Sequence, residues 1–185
     1  MSPMQSTLST ALRVLNDSNI EHLLVGGLVV NHYGYANMEP IVDFMTVVNH
    51  PDMFVNAMKN AGFTSCSINP LVLFFKKPEP SIRVDFLRVN PETFAKLIRS
   101  AVTVTILGCQ VKIPSLPDLL AMKFFSYGQS PMRRLKDLQD IVFLSFANKL
   151  DAEADLKPLA LKYASEQIYQ QVCTMLPQEN NHDEE

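Results

Sequence analysis

The sequence has few cysteines, and their spacing argues against two kinds of site. Cys66, Cys109 and Cys173 are odd in number, lie in apolar surroundings and do not have the spacing of metal ligands. This pattern is typical of reduced thiols in a cytosol rather than of a disulfide framework. We therefore predict that all three are core residues of a cytoplasmic protein.

Excess charge and long hydrophobic runs are also missing. The formal net charge of -3 argues against a nucleic-acid partner, because such partners attract strongly basic surfaces. No apolar run reaches the ~18 residues that a membrane span requires. Residues 1–10 lack the charged and then apolar pattern of a signal peptide. We expect a soluble protein that does not bind a membrane.

What the sequence does have is enough apolar residues for one well-buried core. It contains 185 residues, of which 47% are hydrophobic, and this suffices for one compact unit with a small helical appendage. We predict an α/β core over residues 1–114 and a helical segment packed on it over residues 115–176. Residues 177–185 are predicted to be a disordered acidic tail.

Apolar periodicity and turn residues predict an alternation of strands and helices. The predicted strands cover about residues 21–25, 41–48, 63–68, 71–77, 82–87, 102–107 and 110–113. The predicted helices cover about residues 6–16, 27–34, 52–61, 90–100, 116–128, 133–148 and 158–175. The fold class predicted from this order is α/β.

One stretch near the N-terminus combines the features of a phosphate-binding turn. An apolar run ends in Gly26 and Gly27, a short helical run closes on Gly34, and the next apolar strand carries Asp43. Glycines let a ligand approach the backbone closely and leave N–H groups at the start of a helix available to a phosphate. The other interpretation is that the two glycines only make a tight turn.

This order of features resembles the nucleotidyltransferase superfamily of polymerase beta type, and most closely its small bacterial branch of AbiE-type and minimal nucleotidyltransferases. In that family a Gly-Gly turn precedes a strand that reads Asp-x-Asp, whose carboxylates share one face and bind paired Mg²⁺ ions with a third carboxylate from a neighbouring strand. The resemblance implies that Asp43 and Asp85 are the second and third carboxylates, acting in catalysis and metal binding. Ile41 stands where the first is expected, so the motif is degenerate.

The departure from the family pattern extends beyond Ile41. The pattern commonly has Arg and Thr before the first carboxylate, where this sequence has Asn37 and Glu39. We interpret the three changes as the mark of a lineage that has lost the full metal site. The alternative is a relocated carboxylate, because Glu39 would share the face of Asp43 if the strand extended back through Pro40.

A second group of residues downstream extends the resemblance. The Ser-Leu-x-Asp-Leu cap that begins at Ser115 leads to Lys123, and Arg133 and a Lys-Asp pair follow, as in the family's C-terminal helical segment. The resemblance implies a nucleotidyltransferase-like mixed twisted sheet flanked by helices, with this helical segment packed on it. It also implies that Lys123 acts in catalysis and that Gly26, Gly27 and Arg133 bind the nucleotide.

The carboxylates and the lysine also have structural interpretations. Asp43 and Asp85 are the kind of strand-edge carboxylates that pair with Arg83 or Arg88. Lys123 lies in an apolar helix, where its stem packs and its ammonium reaches water. If instead the family assignment holds, Asp43 and Asp85 lie on adjacent strands and face the same cleft.

The charged run after Pro131 has a structural interpretation as well. Arg133, Arg134 and Lys136 precede Asp137 and Asp140, and this pattern favours a salt-linked, solvated helix face over a binding site.

Three functional hypotheses follow. The leading one is a nucleotidyltransferase-family protein that binds a nucleoside triphosphate and one Mg²⁺ through Gly26, Gly27, Asp43 and Asp85, and whose transfer activity is weak or lost. The first alternative is an active enzyme that adds a nucleotide to a small molecule, a protein or RNA with a rearranged set of carboxylates. The second alternative is a nonenzymatic interaction module, such as an antitoxin-like subunit that binds a protein partner.

Overall fold

The computed structural model describes residues 1–34, 40–79 and 82–177. Asn37, Glu39 and the predicted tail beyond residue 177 lie outside these residues. The strands are β1 (His22–Val25), β2 (Ile41–Thr46), β3 (Thr64–Ile68), β4 (Val72–Lys77), β5 (Ile82–Arg88), β6 (Val102–Ile106) and β7 (Cys109–Ile113). The α-helices are α1 (Pro3–Asp17), α2 (Gly27–His32), α3 (Pro51–Asn60), α4 (Pro91–Ser100), α5 (Leu116–Gln129), α6 (Arg134–Ala147), α7 (Lys157–Tyr163) and α8 (Glu166–Met175).

The strands form a mixed sheet, as predicted. Five of them pair in the order β1-β2-β5-β4-β3. The pairing of β2 with β5 is parallel, whereas β1–β2, β4–β5 and β3–β4 are antiparallel. β6 and β7 form a separate hairpin, whose turn residues Leu107 and Gly108 both have positive φ, as two-residue hairpin turns require. The predicted α/β class with a mixed sheet and C-terminal helices is therefore confirmed.

The chain divides into two compact units, and the boundary in sequence lies between Ser115 and Leu116. The first unit contains both sheets and helices α1 to α4, and the second contains α5 to α8. Among the described residues, none of the helices is long and apolar enough to cross a bilayer.

An aromatic cluster fixes one face of the five-stranded sheet. Phe44 of β2 stacks on Phe86 of β5 with ring centroids 5.4 Å apart, and Phe54 of α3 meets Phe86 edge-on at 4.8 Å. Phe75 of β4 completes the cluster at 5.7 Å from Phe86. All four rings are buried. Since side chains alternate between the faces of a strand, the residues next to Phe44 and Phe86 project from the opposite face.

Helix α1 begins earlier than the sequence predicts. The expected start was at the hydroxyl residues near position 6, but the helix begins at Pro3 and is capped by Ser2, whose Oγ accepts a hydrogen bond from the N–H of Gln5. Serine at the N-cap followed by proline at the first helical position is a strong start signal.

The last predicted helix, over residues 158–175, is wrong as a single element. The structure has α7 and α8 instead, separated at Ala164 and Ser165. Ser165 caps α8 by accepting a hydrogen bond from the N–H of Ile168, and this local bond offers the backbone an alternative to continuing the preceding helix. A π-helical turn over Ala152–Leu156 leads into α7.

Two of the cysteines are not core residues, contrary to the prediction. Cys109 and Cys173 are free thiols and both are partly exposed. Cys109 opens β7 beside the hairpin turn and Cys173 lies in the last turns of α8. Their apolar sequence neighbours therefore did not indicate full burial.

His22 predicts a pH dependence of stability. Its ring lies edge-on to Phe44 at 5.7 Å, and its Nδ1–H donates a hydrogen bond to the carbonyl of Ile20 at 2.9 Å. Burial lowers the pKa of His22 below its usual 6.5, outweighing that hydrogen bond, and Lys112 acts in the same direction as burial. The folded protein thus binds fewer protons than the unfolded chain between the lowered pKa and 6.5, so stability falls as the pH is lowered through this window.

The check is urea unfolding of the wild type and of His22→Gln over that pH window. The free energy of unfolding of the wild type should fall towards acidic pH, and the glutamine variant should show a shallower slope. An unchanged slope in the variant would contradict the assignment to His22.

Candidate functional site

The two predicted carboxylates lie side by side on the parallel strand pair. In the register of β2 and β5, Asp43 is directly opposite Asp85. Directly opposite residues project from the same face of a sheet, so both carboxylates emerge from the face that lies away from the aromatic cluster. The predicted adjacency is confirmed. Because β2 and β5 are both interior strands of the sheet, the strand-edge position expected for Asp43 and Asp85 is wrong, whereas the expected pairing of Asp85 with Arg83 is confirmed.

Gly26 is in close contact with the first of these carboxylates. It has φ of +71°, and a Cβ built on it would lie 2.0 Å from Oδ2 of Asp43. Its carbonyl accepts hydrogen bonds from the N–H groups of Val29 and Val30, both at 3.1 Å, which starts α2. Gly27 follows as a buried first helical residue. Any other residue at position 26 would therefore displace the Asp43 carboxylate.

Asp85 is held by an arginine on its own strand. Nη2 of Arg83 donates a hydrogen bond to Oδ2 of Asp85 at 2.8 Å, and Asp85 is buried. The Arg83 guanidinium also lies over the ring of Phe74, 5.3 Å from its centroid. Arg88, the other partner considered from the sequence, donates instead to the carbonyl of Val48 at 3.1 Å. The site therefore contains a positive charge beside its carboxylates.

Ile41 lies where the family pattern has its first carboxylate. It is two residues before Asp43 on β2, so the two side chains share a face, and it is directly opposite Arg83 of β5. The Ile41 side chain is half-buried. This part of the face therefore pairs an aliphatic residue with an arginine and offers no oxygen ligand from Ile41.

Asp43 and Asp85 are the oxygen donors that this face offers to a divalent cation among the described residues. Mg²⁺ is a hard cation that takes oxygen ligands, and Asp43 and Asp85 would supply them from adjacent strands. In the part of the chain that the structure describes, no cluster of three or more His, Cys, Asp or Glu residues could hold a metal ion. Two carboxylates could contribute ligands to one Mg²⁺ only if solvent or phosphate oxygens completed its coordination.

Lys123 belongs to a buried ion cluster within the second unit. Its Nζ donates hydrogen bonds to Oδ2 of Asp140 at 2.5 Å and to Oδ1 of Asp137 at 3.2 Å, and all three residues are buried. Arg133 is half-exposed, with Nε 3.6 Å from Oδ2 of Asp137. The expectation that the ammonium reaches water is wrong, because the Lys123 side chain is buried and its ammonium contacts the two aspartates. Contact of Lys123 or Arg133 with a nucleotide stays a prediction.

The predicted solvated helix face is wrong for Asp137 and Asp140, because both are buried rather than exposed. They lie on α6 three residues apart, beside the buried Ile141 and Leu144. The spacing 137, 140, 141, 144 follows one helix face, and this periodicity is the signal in the sequence that would have placed both aspartates in the interior.

Comparison with solved structures finds the same fold in nucleotidyltransferases. The chain is similar to the antibiotic-resistance factor ANT(2'')-Ia, with 12% identity and a TM-score of 0.66 over 92% of this chain and 96% of that chain. It is similar to an antigenic nucleotidyltransferase-like protein from Paracoccidioides brasiliensis, with 17% identity and a TM-score of 0.55 over 92% of this chain and 85% of that chain.

A third similar structure is the lincosamide antibiotic adenylyltransferase LnuA with lincomycin bound, with 14% identity and a TM-score of 0.54 over 78% of this chain and 97% of that chain. No family model matches the sequence, and no curated protein matches it either. At these identities the likeness concerns the backbone arrangement alone. The chain therefore has the nucleotidyltransferase fold.

Proposed function

We propose that this chain is a nucleotidyltransferase-family protein that binds a nucleoside triphosphate together with one Mg²⁺, and whose nucleotidyl transfer is weak or lost. The observation that carries the proposal is the in-register pair Asp43 and Asp85 beside Gly26, with Ile41 in place of the first carboxylate. The Gly-Gly turn and the later Ser115-to-Lys123 motif support assignment to the small bacterial AbiE-type or minimal branch. The cysteine usage supports a cytoplasmic location.

The proposal gives roles to four residues of the first unit. Asp43 and Asp85 hold the ion, and Gly26, which has no side chain, leaves room for the Asp43 carboxylate against the turn. The backbone at Gly26 and Gly27 faces the phosphates. When bound, Mg²⁺ neutralises charge on the triphosphate oxygens.

The loss of transfer follows from the missing ligand. Two-metal transfer uses one ion on the attacking oxygen and one on the leaving oxygen. With Ile41 in the first position, the oxygen donors of Asp43 and Asp85 suffice for one ion and not for a pair. Triphosphate binding is therefore retained while activation of an acceptor hydroxyl is impaired.

A second candidate is an active enzyme that modifies a small molecule. The observation that favours it is the likeness to ANT(2'')-Ia, which was also solved in complex with adenylyl-2''-tobramycin, and to the lincosamide adenylyltransferase LnuA. Such an enzyme would need a carboxylate from elsewhere in the chain, such as Glu39, to replace the one missing at Ile41.

Thermal melting of Ile41→Asp with and without Mg²⁺ and ATP tests the leading proposal. We expect the wild type to melt at a higher temperature with Mg²⁺ and ATP, because ligands that bind only the folded state stabilise it, by about 2.7 kcal/mol at a hundredfold excess over Kd. Ile41→Asp should be destabilised without ions, since a new carboxylate faces Asp43, and should recover part of that loss with Mg²⁺. Asp43→Asn should abolish the part of the shift that depends on Mg²⁺.

The matched control is Ile68→Asp, the same substitution at an exposed position of the edge strand β3, which should gain nothing from Mg²⁺. A parallel transfer assay separates the remaining candidates. Substantial transfer by the wild type would favour the active enzyme, and transfer that appears only in Ile41→Asp would support the lost carboxylate. If neither protein responds to Mg²⁺ and ATP, the interaction module is favoured over both nucleotide-binding hypotheses.

A further inference from the structure

Arg83 lies across the strand pair from the position of the missing carboxylate. It is directly opposite Ile41 in the register of β2 and β5 and two residues before Asp85, so all three side chains belong to one face of the sheet. The family pattern would place an aspartate at position 41, next to this arginine. Here the neighbour is aliphatic, and the positive charge of Arg83 forms an ion pair with Asp85 at 2.8 Å.

The Arg83 guanidinium is both anchored and accessible. Nη2 is fixed by the bond to Asp85, and the guanidinium carbon lies 5.3 Å from the Phe74 ring centroid. The Arg83 side chain is nevertheless 49% exposed, whereas that of Asp85 is 6% exposed. A guanidinium presents five N–H donors in a planar fork that matches phosphate oxygens, and it stays charged at every accessible pH. Arg83 therefore combines a fixed position with donors that a ligand can reach.

We propose that Arg83 is a built-in cation of the nucleotide site, which replaces one of the two metal ions and binds a triphosphate oxygen without a divalent ion. The inference rests on the proposed function, because it places the triphosphate on the face of Asp43 and Asp85. It goes further by making triphosphate binding partly independent of Mg²⁺. It also makes Arg83 a competitor of Mg²⁺ for Oδ2 of Asp85.

Two opposite effects follow from this competition. Removing the guanidinium takes a donor and a positive charge away from the triphosphate, so binding without metal weakens. The same change frees the Asp85 carboxylate from its ion pair, so binding of Mg²⁺ alone strengthens. An arginine that only stabilised the fold would not shift the two affinities in opposite directions.

Calorimetric titration of the full chain tests the proposal. The probes are inorganic triphosphate and ATP in EDTA, Mg²⁺ alone, and ATP with Mg²⁺. We expect the wild type to bind triphosphate in EDTA and Arg83→Gln to bind it at least about tenfold more weakly, which corresponds to about 1.4 kcal/mol. Mg²⁺ alone should bind Arg83→Gln more tightly than the wild type. Both affinities of Arg83→Lys should lie between those of the wild type and Arg83→Gln, because an ammonium keeps the positive charge but not the planar fork of donors.

Arg99→Gln is the matched control, since Arg99 is an exposed arginine in the last turn of α4 and its loss changes the net charge equally. It should leave both affinities unchanged. A thermal melt of each variant checks folding, and Arg83→Lys decides the test if Arg83→Gln does not fold. If the wild type binds ATP with Mg²⁺ but not in EDTA, or if Arg83→Gln alters neither affinity, the inference is overturned while the proposed function stands. If ATP binds under neither condition, both are overturned.

Discussion

Replacing Gly26 by alanine is expected to destabilise the protein by about 2–4 kcal/mol, because two costs add at this position. The first is conformational, since φ is +71° and residues with a Cβ rarely adopt this region. The second is steric, since the new Cβ would lie 2.0 Å from Oδ2 and 2.7 Å from Cγ of Asp43. Either the turn or the Asp43 carboxylate must move. The loss of stability should therefore be accompanied by loss of the increase in melting temperature that Mg²⁺ and ATP cause in the wild type.

Gly62→Ala is the control that separates the two costs. Gly62 has φ of +89°, but a Cβ built on it meets no atom within 4 Å. This variant should therefore carry the conformational cost alone, about 1–2 kcal/mol, and keep its response to Mg²⁺ and ATP. In a chain of this length 1 kcal/mol corresponds to about 2–4 °C in Tm. If Gly26→Ala and Gly62→Ala lost the same amount of stability, the Asp43 carboxylate would have moved aside without a measurable cost.

Lys123→Met is expected to have the largest effect on stability, a loss of about 3–5 kcal/mol. Lys123 is the donor to both Asp137 and Asp140, and all three side chains are buried. Methionine fills a similar volume, so the loss should come from the charges rather than from a cavity. Two carboxylates would remain buried beside each other, with the half-exposed Arg133 at 3.6 Å as the nearest cation that contacts Asp137.

The electrostatic origin can be tested by a double variant in a urea unfolding experiment. Asp140→Asn in the Lys123→Met background removes one of the two buried charges, so it should recover part of the lost stability, whereas the same change in the wild type should lower it. Lys96→Met, which breaks an exposed pair with Glu92 on α4, should leave the midpoint nearly unchanged. A Lys123→Met protein as stable as the wild type would rule out the cluster as a determinant of stability.

Much of the fold was predictable because its local signals are strong. The strand at Ile41–Thr46 is an apolar run interrupted by Asp43, the strand at Ile82–Arg88 alternates apolar and polar residues as far as Phe86, and proline opens both α3 and α4. The parallel pairing of these two strands was not contained in such signals. The resemblance predicted that the two strands are adjacent, because it supplies information about partners that are distant in sequence, but their parallel direction was not predicted.

The errors arose where a local pattern competed with a tertiary environment. Asp137 and Asp140 looked like members of a solvated charged run, but an ammonium that reaches them from α5 allows both to be buried. Ser165 ended a helix that apolar periodicity alone would have continued. Cys109 was assigned to the core from its apolar neighbours, although it opens a strand beside a turn.

The candidate site was predictable in its residues but not in its contacts. The sequence pointed to Asp43, Asp85 and Ile41, and Arg83 was one of the two arginines considered as a structural partner of these carboxylates. The sequence gives no distance, however, and the contact of Gly26 with Asp43 depends on how the turn meets β2. The position of Arg83 opposite Ile41 likewise requires the strand register.

The parallel pairing of β2 with β5 also determines the stage of folding at which Asp43 and Asp85 come together. α3, β3 and β4 all lie between these strands in the chain, and parallel neighbours always need such a crossover. During synthesis the ribosome releases Asp43 well before Asp85, and the two meet only after the intervening segment has folded back and its loop-closure entropy has been overcome. A chain that ends before β5 therefore lacks the paired carboxylates. The pairing of Asp43 with Asp85 arises in one late step, and it reports on completion of the five-stranded sheet rather than on local structure.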